Sequence, residues 1–309
     1  MSIIEAKKDK LFNKMKYLSK KYWKLDTFER SQDDKFIEDE KELSSVGKEI
    51  FDNFGLADKN IKLFADICSA PGMYSKIILD SYEKTTGIGI SLPIEEGGVP
   101  YTFKDPRYKI FYKNILDKSY KLELTDPIKL DLGLASCVSY QHDAKNSFYL
   151  NLELIFKSLM LILPNLKNEG NLIINLTIKN VELAFNIVNI LHPLFNTFKL
   201  WKSSNIWSTK NTFYFFGYGF KDNYSSETFS NMLEMIKYKH SPINDHFTGT
   251  NEEYNTIYDQ MKNIYKTRIK AWESLINDSN RQNNKTSRLK KANGSTLIFN
   301  FLFDWQHVN

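Results

Sequence analysis

The residues best placed to do chemistry lie in one short segment, Leu63-Phe-Ala-Asp-Ile-Cys-Ser-Ala-Pro-Gly-Met-Tyr-Ser75. An apolar strand ends at Asp66–Cys68, the small-residue turn Ser69-Ala-Pro-Gly72 follows, and a helix begins near Met73. Pro71 fixes its own φ, and Gly72 offers backbone that a ligand can approach closely. The free N–H groups of a helix starting there suit a carboxylate or a phosphate. A turn of this kind at the carboxyl end of a first strand is where open α/β sheets bind ligands. Other reactive types are sparse. Cys68 and Cys137 have no metal-ligand spacing and lie in apolar, strand-like surroundings, which reads as two buried free thiols in a reducing compartment.

The elements that must position this turn can be read around it. Short apolar runs at Lys62–Ile67, Thr86–Ile90, Tyr108–Tyr112, Leu130–Ser136, Asn171–Leu176, Thr197–Trp201 and Phe213–Tyr218 are predicted strands. Met73–Tyr82, Asn146–Leu163 and Val181–Leu194 are predicted helices, and Asn168-Glu-Gly170 a turn before a strand. This alternation predicts a mostly parallel sheet covered by helices on both faces, its last two strands forming an antiparallel edge pair. Residues 1–55 read as a basic helical extension, 56–221 as the α/β domain, and 222–309 as a helical extension with helices at 226–239 and 251–277. The polar stretch 278–295 is expected to be mobile, and the apolar Leu297–Phe303 to dock on the core or on a partner.

The 309 residues carry a net charge of +5, too mild by itself to imply a nucleic-acid partner. Its distribution says more. Eight lysines and a single acid lie between Lys7 and Lys24, and Arg281, Lys285, Arg288, Lys290 and Lys291 form a second cluster. Each is a solvated helical face or a loose tail on one reading, and a set of phosphate contacts on the other. No apolar run reaches the ~20 residues of a membrane span, and Met1–Lys10 is too polar for a signal peptide. Trp207, Phe213 and Tyr214 are core residues or a stacking platform for bases.

The whole string from Asp66 to Ser75 resembles the first motif of the FtsJ-like and cap-specific RNA 2'-O-methyltransferases, with Asp66, Pro71, Gly72, Tyr74 and Ser75 all matching. Gly87–Leu92 resembles that family's second strand, which often lacks a ribose-binding acid, and Asn114-Ile-Leu-Asp117 falls where the family contacts adenine. The resemblance implies a Rossmann-like S-adenosylmethionine methyltransferase sheet with helices on both faces and helical extensions at both ends. It implies an S-adenosylmethionine pocket formed by Asp66, Ser69, Ala70, Pro71, Gly72, Tyr74, Ser75 and Asn114, and no metal.

The same resemblance implies a Lys-Asp-Lys-Glu tetrad, and here this chain departs from the pattern. Lys24, in Tyr22-Trp-Lys-Leu-Asp26, fits the first lysine. Ser136, Asn175 and Thr212 stand at the other three positions. None of them carries charge, so none can replace an acid or a lysine. Asp131 and Lys179 are substitutes to weigh, although Asp131 ends the strand five residues early and Lys179 lies four residues past Asn175.

The later half, from Leu194–Leu200 through Ser203–Lys210 and the basic stretch Arg281–Lys291, resembles the small, regulatory subunits of poxvirus mRNA-capping enzymes. That likeness implies an inactive fold acting as a regulatory subunit of a guanine-N7 methyltransferase complex, with RNA and a capping-enzyme large subunit, or another protein, as partners and no membrane. The alternatives are an active RNA 2'-O-methyltransferase with a rearranged site, and a structural protein that inherited the fold. Richness in Lys, Asn, Ile and Phe suggests an AT-rich source, a virus or cytoplasmic element, with the protein in the cytoplasm or a virion.

Overall fold

The computed structural model describes residues 10–23, 32–117, 122, 129–137, 144–177, 181–208, 210–222, 225 and 251–292. Lys24, Lys179, the expected helix at 226–239 and the apolar segment 297–303 lie outside the described residues.

Seven strands form one sheet: β1 Leu63–Ile67, β2 Thr86–Ser91, β3 Tyr108–Tyr112, β4 Leu130–Ala135, β5 Leu166–Thr177, β6 Phe195–Trp201 and β7 Thr212–Phe220. Their spatial order is β3-β2-β1-β4-β5-β7-β6. All neighbouring pairs are parallel except those of β7, which runs antiparallel to both β5 and β6. β4 is buried along its entire length, which explains its unbroken apolar sequence apart from Asp131.

Helices cover both faces. α1 Lys10–Trp23, α4 Ala144–Ile162, α5 Val181–Leu191 and α6 Asn251–Ala292 pack on one, and α2 Gln32–Phe54 and α3 Met73–Ser81 on the other. The period-2 pleat divides β7 between them. Phe213 and Phe215 point into the first core with Met15, Phe156, Val188 and Trp272. Tyr214 and Phe216 point into the second with Ile50, Phe54 and Ile78. The second helix of the expected N-terminal extension is thus part of the wall of the domain, with Val46, Ile50, Phe51 and Phe54 buried.

Four expectations change. Asn168-Glu-Gly170 is not a turn before β5 but lies within it, where Glu169 takes a positive φ and the β4–β5 register shifts. β6 starts at Phe195, two residues before its expected start. The polar stretch after 277 continues α6 to Ala292. Cys68 and Cys137 are not free thiols. Adjacent parallel strands β1 and β4 carry them just past their ends, 5.0 Å apart at Cα, and they form a disulfide.

Candidate functional site

A cavity of about 610 Å³ opens at the carboxyl ends of β1, β2 and β4. The chain order reverses here, since β2 and β3 lie to one side of β1 and β4 to the other. This is the crevice that open α/β sheets use for ligands. Cys68, Ser69, Ala70 and Pro71 form one wall, and Ile90, Ser91 and Leu92 a second. Glu96–Val99 and Lys113–Leu116 follow from the loops after β2 and β3. Ser136 and Asn175 close the side toward β5, and Leu43, Met73, Tyr74, Leu150, Leu154 and Trp207 complete the lining.

The turn after β1 is tied to the strand beside it. Ser69 N donates to Ile90 O at 3.1 Å, and Ala70 N donates to Ser91 Oγ at 2.8 Å. Thr102 donates from both its backbone N and its hydroxyl to Pro71 O. Gly72 has φ 102°, and a Cβ there would sit 2.3 Å from the Tyr101 ring and 2.6 Å from that of Phe103. Its bare backbone therefore admits two aromatic rings, and Gly72 is not among the residues that line the cavity.

Beneath the turn lies a buried polar chain. Ser75 Oγ is 2.7 Å from both Asp66 Oδ2 and the Tyr108 hydroxyl, and Tyr101 donates to Tyr108 at 2.8 Å. Asp66 Oδ1 has no partner among the described residues. Burial raises the Asp66 pKa to about 7, opposed by the Ser75 hydrogen bond. Burial likewise raises Tyr101 and Tyr108. Asp66, Gly72 and Ser75 thus support the turn from behind and do not line the cavity, whereas Ser69, Ala70, Pro71, Tyr74 and Asn114 do.

The three neutral positions that the resemblance assigns to the tetrad fall on or just past adjacent strands. Ala135 pairs with Ile174, so Ser136 comes level with Asn175, and Thr212 pairs with Thr177 two residues further along β5. Ser136 and Asn175 face the cavity; Thr212 is outside its lining. Asp131 lies at the opposite end of β4. Its Oδ2 accepts from the backbone N of Lys62 at 2.7 Å and of Leu63 at 2.8 Å, and Lys167 pairs with Oδ1. That carboxylate fixes the start of β1 and is far along the strand from the site.

Sequence reasoning missed several residues here. Ser91 holds the turn, and Glu96, an exposed carboxylate on the rim, accepts from Asn114 Nδ2 at 3.0 Å. The Glu-Glu-Gly-Gly run at 95–98 was a visible signal for this loop. Lys202 gave none. It is 6% exposed, and its Nζ donates to the carbonyls of Trp207, Lys210 and Thr212 at 2.9, 2.9 and 2.8 Å. Burial, aided by nearby Arg268, lowers its pKa to about 7, while three carbonyl acceptors suit the three N–H donors of the ammonium. From outside, Glu42 accepts from Trp207 Nε1 at 2.8 Å and Glu49 from Asn205 Nδ2 at 2.8 Å and from Ser203. The loop that brings Trp207 to the cavity is therefore gripped by a buried cation and by α2. Phe213 and Tyr214 are core residues.

Strand order, helical layers and a cavity at the reversal point together define a Rossmann-like α/β fold. The FtsJ-like methyltransferase profile matches residues 48–220, more than half of the chain, and the protein belongs to that family. Solved structures with a similar fold include a ribosomal RNA methyltransferase from Plasmodium falciparum, at 17% identity and TM-score 0.43 over 58% of this chain and 96% of that one. An O-methyltransferase family protein from Burkholderia thailandensis is 14% identical, with TM-score 0.36 over 67% of this chain and 71% of that one. Human methyltransferase-like protein 13, in complex with SAH, is 10% identical, with TM-score 0.36 over 67% and 95%. No curated protein matches the chain.

Proposed function

We propose that this protein binds S-adenosylmethionine and RNA on an FtsJ-like scaffold whose transfer machinery is largely lost, and that it acts as a regulatory subunit of an mRNA-capping complex. One observation carries the reading. Ser136, Asn175 and Thr212, at the positions where the resemblance requires Asp, Lys and Glu, are all uncharged. Transfer to a ribose hydroxyl depends on electrostatic stabilisation and on positioning, and neutral side chains supply little of the first.

The cavity fits the donor in chemistry. The turn Ser69–Pro71 suits its amino-acid end, the Glu96 carboxylate its ribose hydroxyls, and Ile90, Ile115 and Leu116 its adenine. When bound, the donor supplies an electrophilic methyl group on a sulfonium. The RNA part of the proposal is supported by membership of the FtsJ-like family. The capping-complex part rests on the resemblance of the later half, and a cytoplasmic or viral setting on composition.

The test is a pair of measurements followed by a purification. Calorimetry with S-adenosylhomocysteine is expected to show binding, and the isolated chain is expected to transfer no tritiated methyl to capped RNA. Co-purification from its source is expected to bring down a guanine-N7 methyltransferase subunit. Absence of binding at millimolar ligand would sink the donor pocket. A second reading, an active 2'-O-methyltransferase with a rearranged site, is favoured by the preserved cavity. It requires tritium transfer that Lys24→Ala or Lys179→Ala abolishes.

A further inference from the structure

We propose that the solvent side of α6, assisted by α1, is the RNA-backbone-binding surface of this protein. This rests on the reading of RNA as partner and names where the phosphates lie. At 3.6 residues per turn, Lys266, Lys270, Arg281, Lys285, Arg288 and Lys291 fall within an arc of roughly 120° around the helix. The buried positions of the same helix, from Tyr254 and Met261 to Trp272 and Ile276, centre nearly opposite that arc. Lys266 and Lys270 are exposed and make no ion pair among the described residues. Glu273, the acid that falls within the arc over this length, is paired with Lys14 of α1 at 2.7 Å. From Lys266 to Lys291 the row extends roughly 37 Å at 1.5 Å per residue.

The neighbouring helix adds to the same field. α1 carries five lysines and no acid, and it packs its Met15 and Leu18 into the core that α6 shares. The whole chain has a net charge of only +5, so positive charge is concentrated on this helix pair and not spread over the surface.

Composition selects the partner. A basic helix that lies on a membrane needs a free apolar face. The apolar face of α6 through Ile276 is buried in the core, leaving Leu275 as a single exposed apolar side chain, and from Asp278 to Ala292 the only apolar residues are Leu289 and Ala292. The remaining positions are Asn, Gln, Ser, Thr and basic residues, with Asp278 as the acid. Such a helix has charge and hydrogen-bond donors to offer but nothing to insert or to zip. A polyanion of regularly spaced phosphates meets that description.

The experiment uses the full chain and an uncapped 20-nucleotide single-stranded RNA, titrated by fluorescence anisotropy across a range of NaCl concentrations. The variant Lys266→Gln/Lys270→Gln/Arg281→Gln/Arg288→Gln keeps helix propensity and removes four charges. Its affinity near physiological salt is expected to fall about a hundredfold, and the slope of log K against log salt to become shallower by about 3, at roughly 0.7 per phosphate contact. A control variant, Lys84→Gln/Lys109→Gln, in the turn before β2 and on β3, at the edge of the sheet opposite the β6 edge where α6 packs, is expected to match the wild type. Unchanged affinity and slope in the fourfold variant, with helix content intact by circular dichroism, overturns the proposal. So does binding of phosphatidylserine vesicles, or competition by polyglutamate as strong as that by RNA. Calorimetry with S-adenosylhomocysteine on both proteins separates the two readings: a chain that binds this RNA through α6 but takes no S-adenosylhomocysteine refutes the donor pocket and leaves the surface standing.

Discussion

Two buried ionisable side chains, Asp66 and Lys202, carry consequences for single substitutions. The Asp66 carboxyl titrates near 7 in the fold against 3.8 for a free side chain, so the folded state prefers the neutral acid. Between about pH 4 and 7 the native protein therefore holds more protons than the unfolded chain, and stability falls as pH rises through that window and levels off above it. Asp66→Asn is expected to flatten this dependence and to exceed the wild-type Tm at pH 8, checked by thermal melts from pH 4 to 8. Lys202 holds three loop carbonyls at once. Lys202→Met leaves them without their donor and is expected to cost about 3 kcal/mol, read by urea denaturation, because unsatisfied buried acceptors outweigh the relief of the buried charge. Loosening of Trp207 from Glu42 is expected to accompany it, seen as a red shift in tryptophan emission. Neither residue announced its role in the sequence. The family resemblance implies that Asp66 is a cofactor contact; its carboxyl is hydrogen-bonded within the buried Ser75–Tyr108 chain.

At the scale of elements, most of the sheet is legible because strands buried on both faces leave compact apolar runs, as at Leu63–Ile67 and Leu130–Ala135. What escaped reading depends on pairing between distant segments. Glu169 is part of a strand only because β4 lies alongside, and Trp207 meets Glu42 across 165 residues. The last turns of α6 escaped because their Asn- and Ser-rich composition is that of a loop. At the candidate site the sequence points to the turn and to Ser136 and Asn175, which line the cavity, and to Thr212, which does not; it does not single out Ser91, Glu96 or the clamp on the Trp207 loop. The junction of β1 and α3 offers its own test. Gly72→Ala would place a methyl group against Tyr101 at a positive φ. A loss of about 2–4 kcal/mol is expected, with S-adenosylhomocysteine affinity falling at least about tenfold as the two rings push the turn aside. A variant with wild-type Tm and wild-type calorimetry would show that the turn tolerates the change.

For the molecule as a whole, the proposed separation of scaffold from transfer chemistry has a direct test. If the neutral triad is what limits transfer, then Ser136→Asp/Asn175→Lys/Thr212→Glu is expected to raise tritium incorporation into capped RNA from background to a measurable rate. Equal incorporation by the wild type and the triple variant would mean that charge at these places is not what the chain lacks. The bond between Cys68 and Cys137 has a consequence of a mechanical kind. It fastens the strands on either side of the reversal point, and everything from the donor turn through β2 and β3 lies inside the ring of chain it closes, with a separation of 69 residues. Pulled from its two ends, the oxidised protein is expected to unravel to a contour about 240 Å shorter than the reduced one, at ~3.5 Å per residue. In an optical trap, the wall of the cavity would be the part of the chain that force alone cannot draw out.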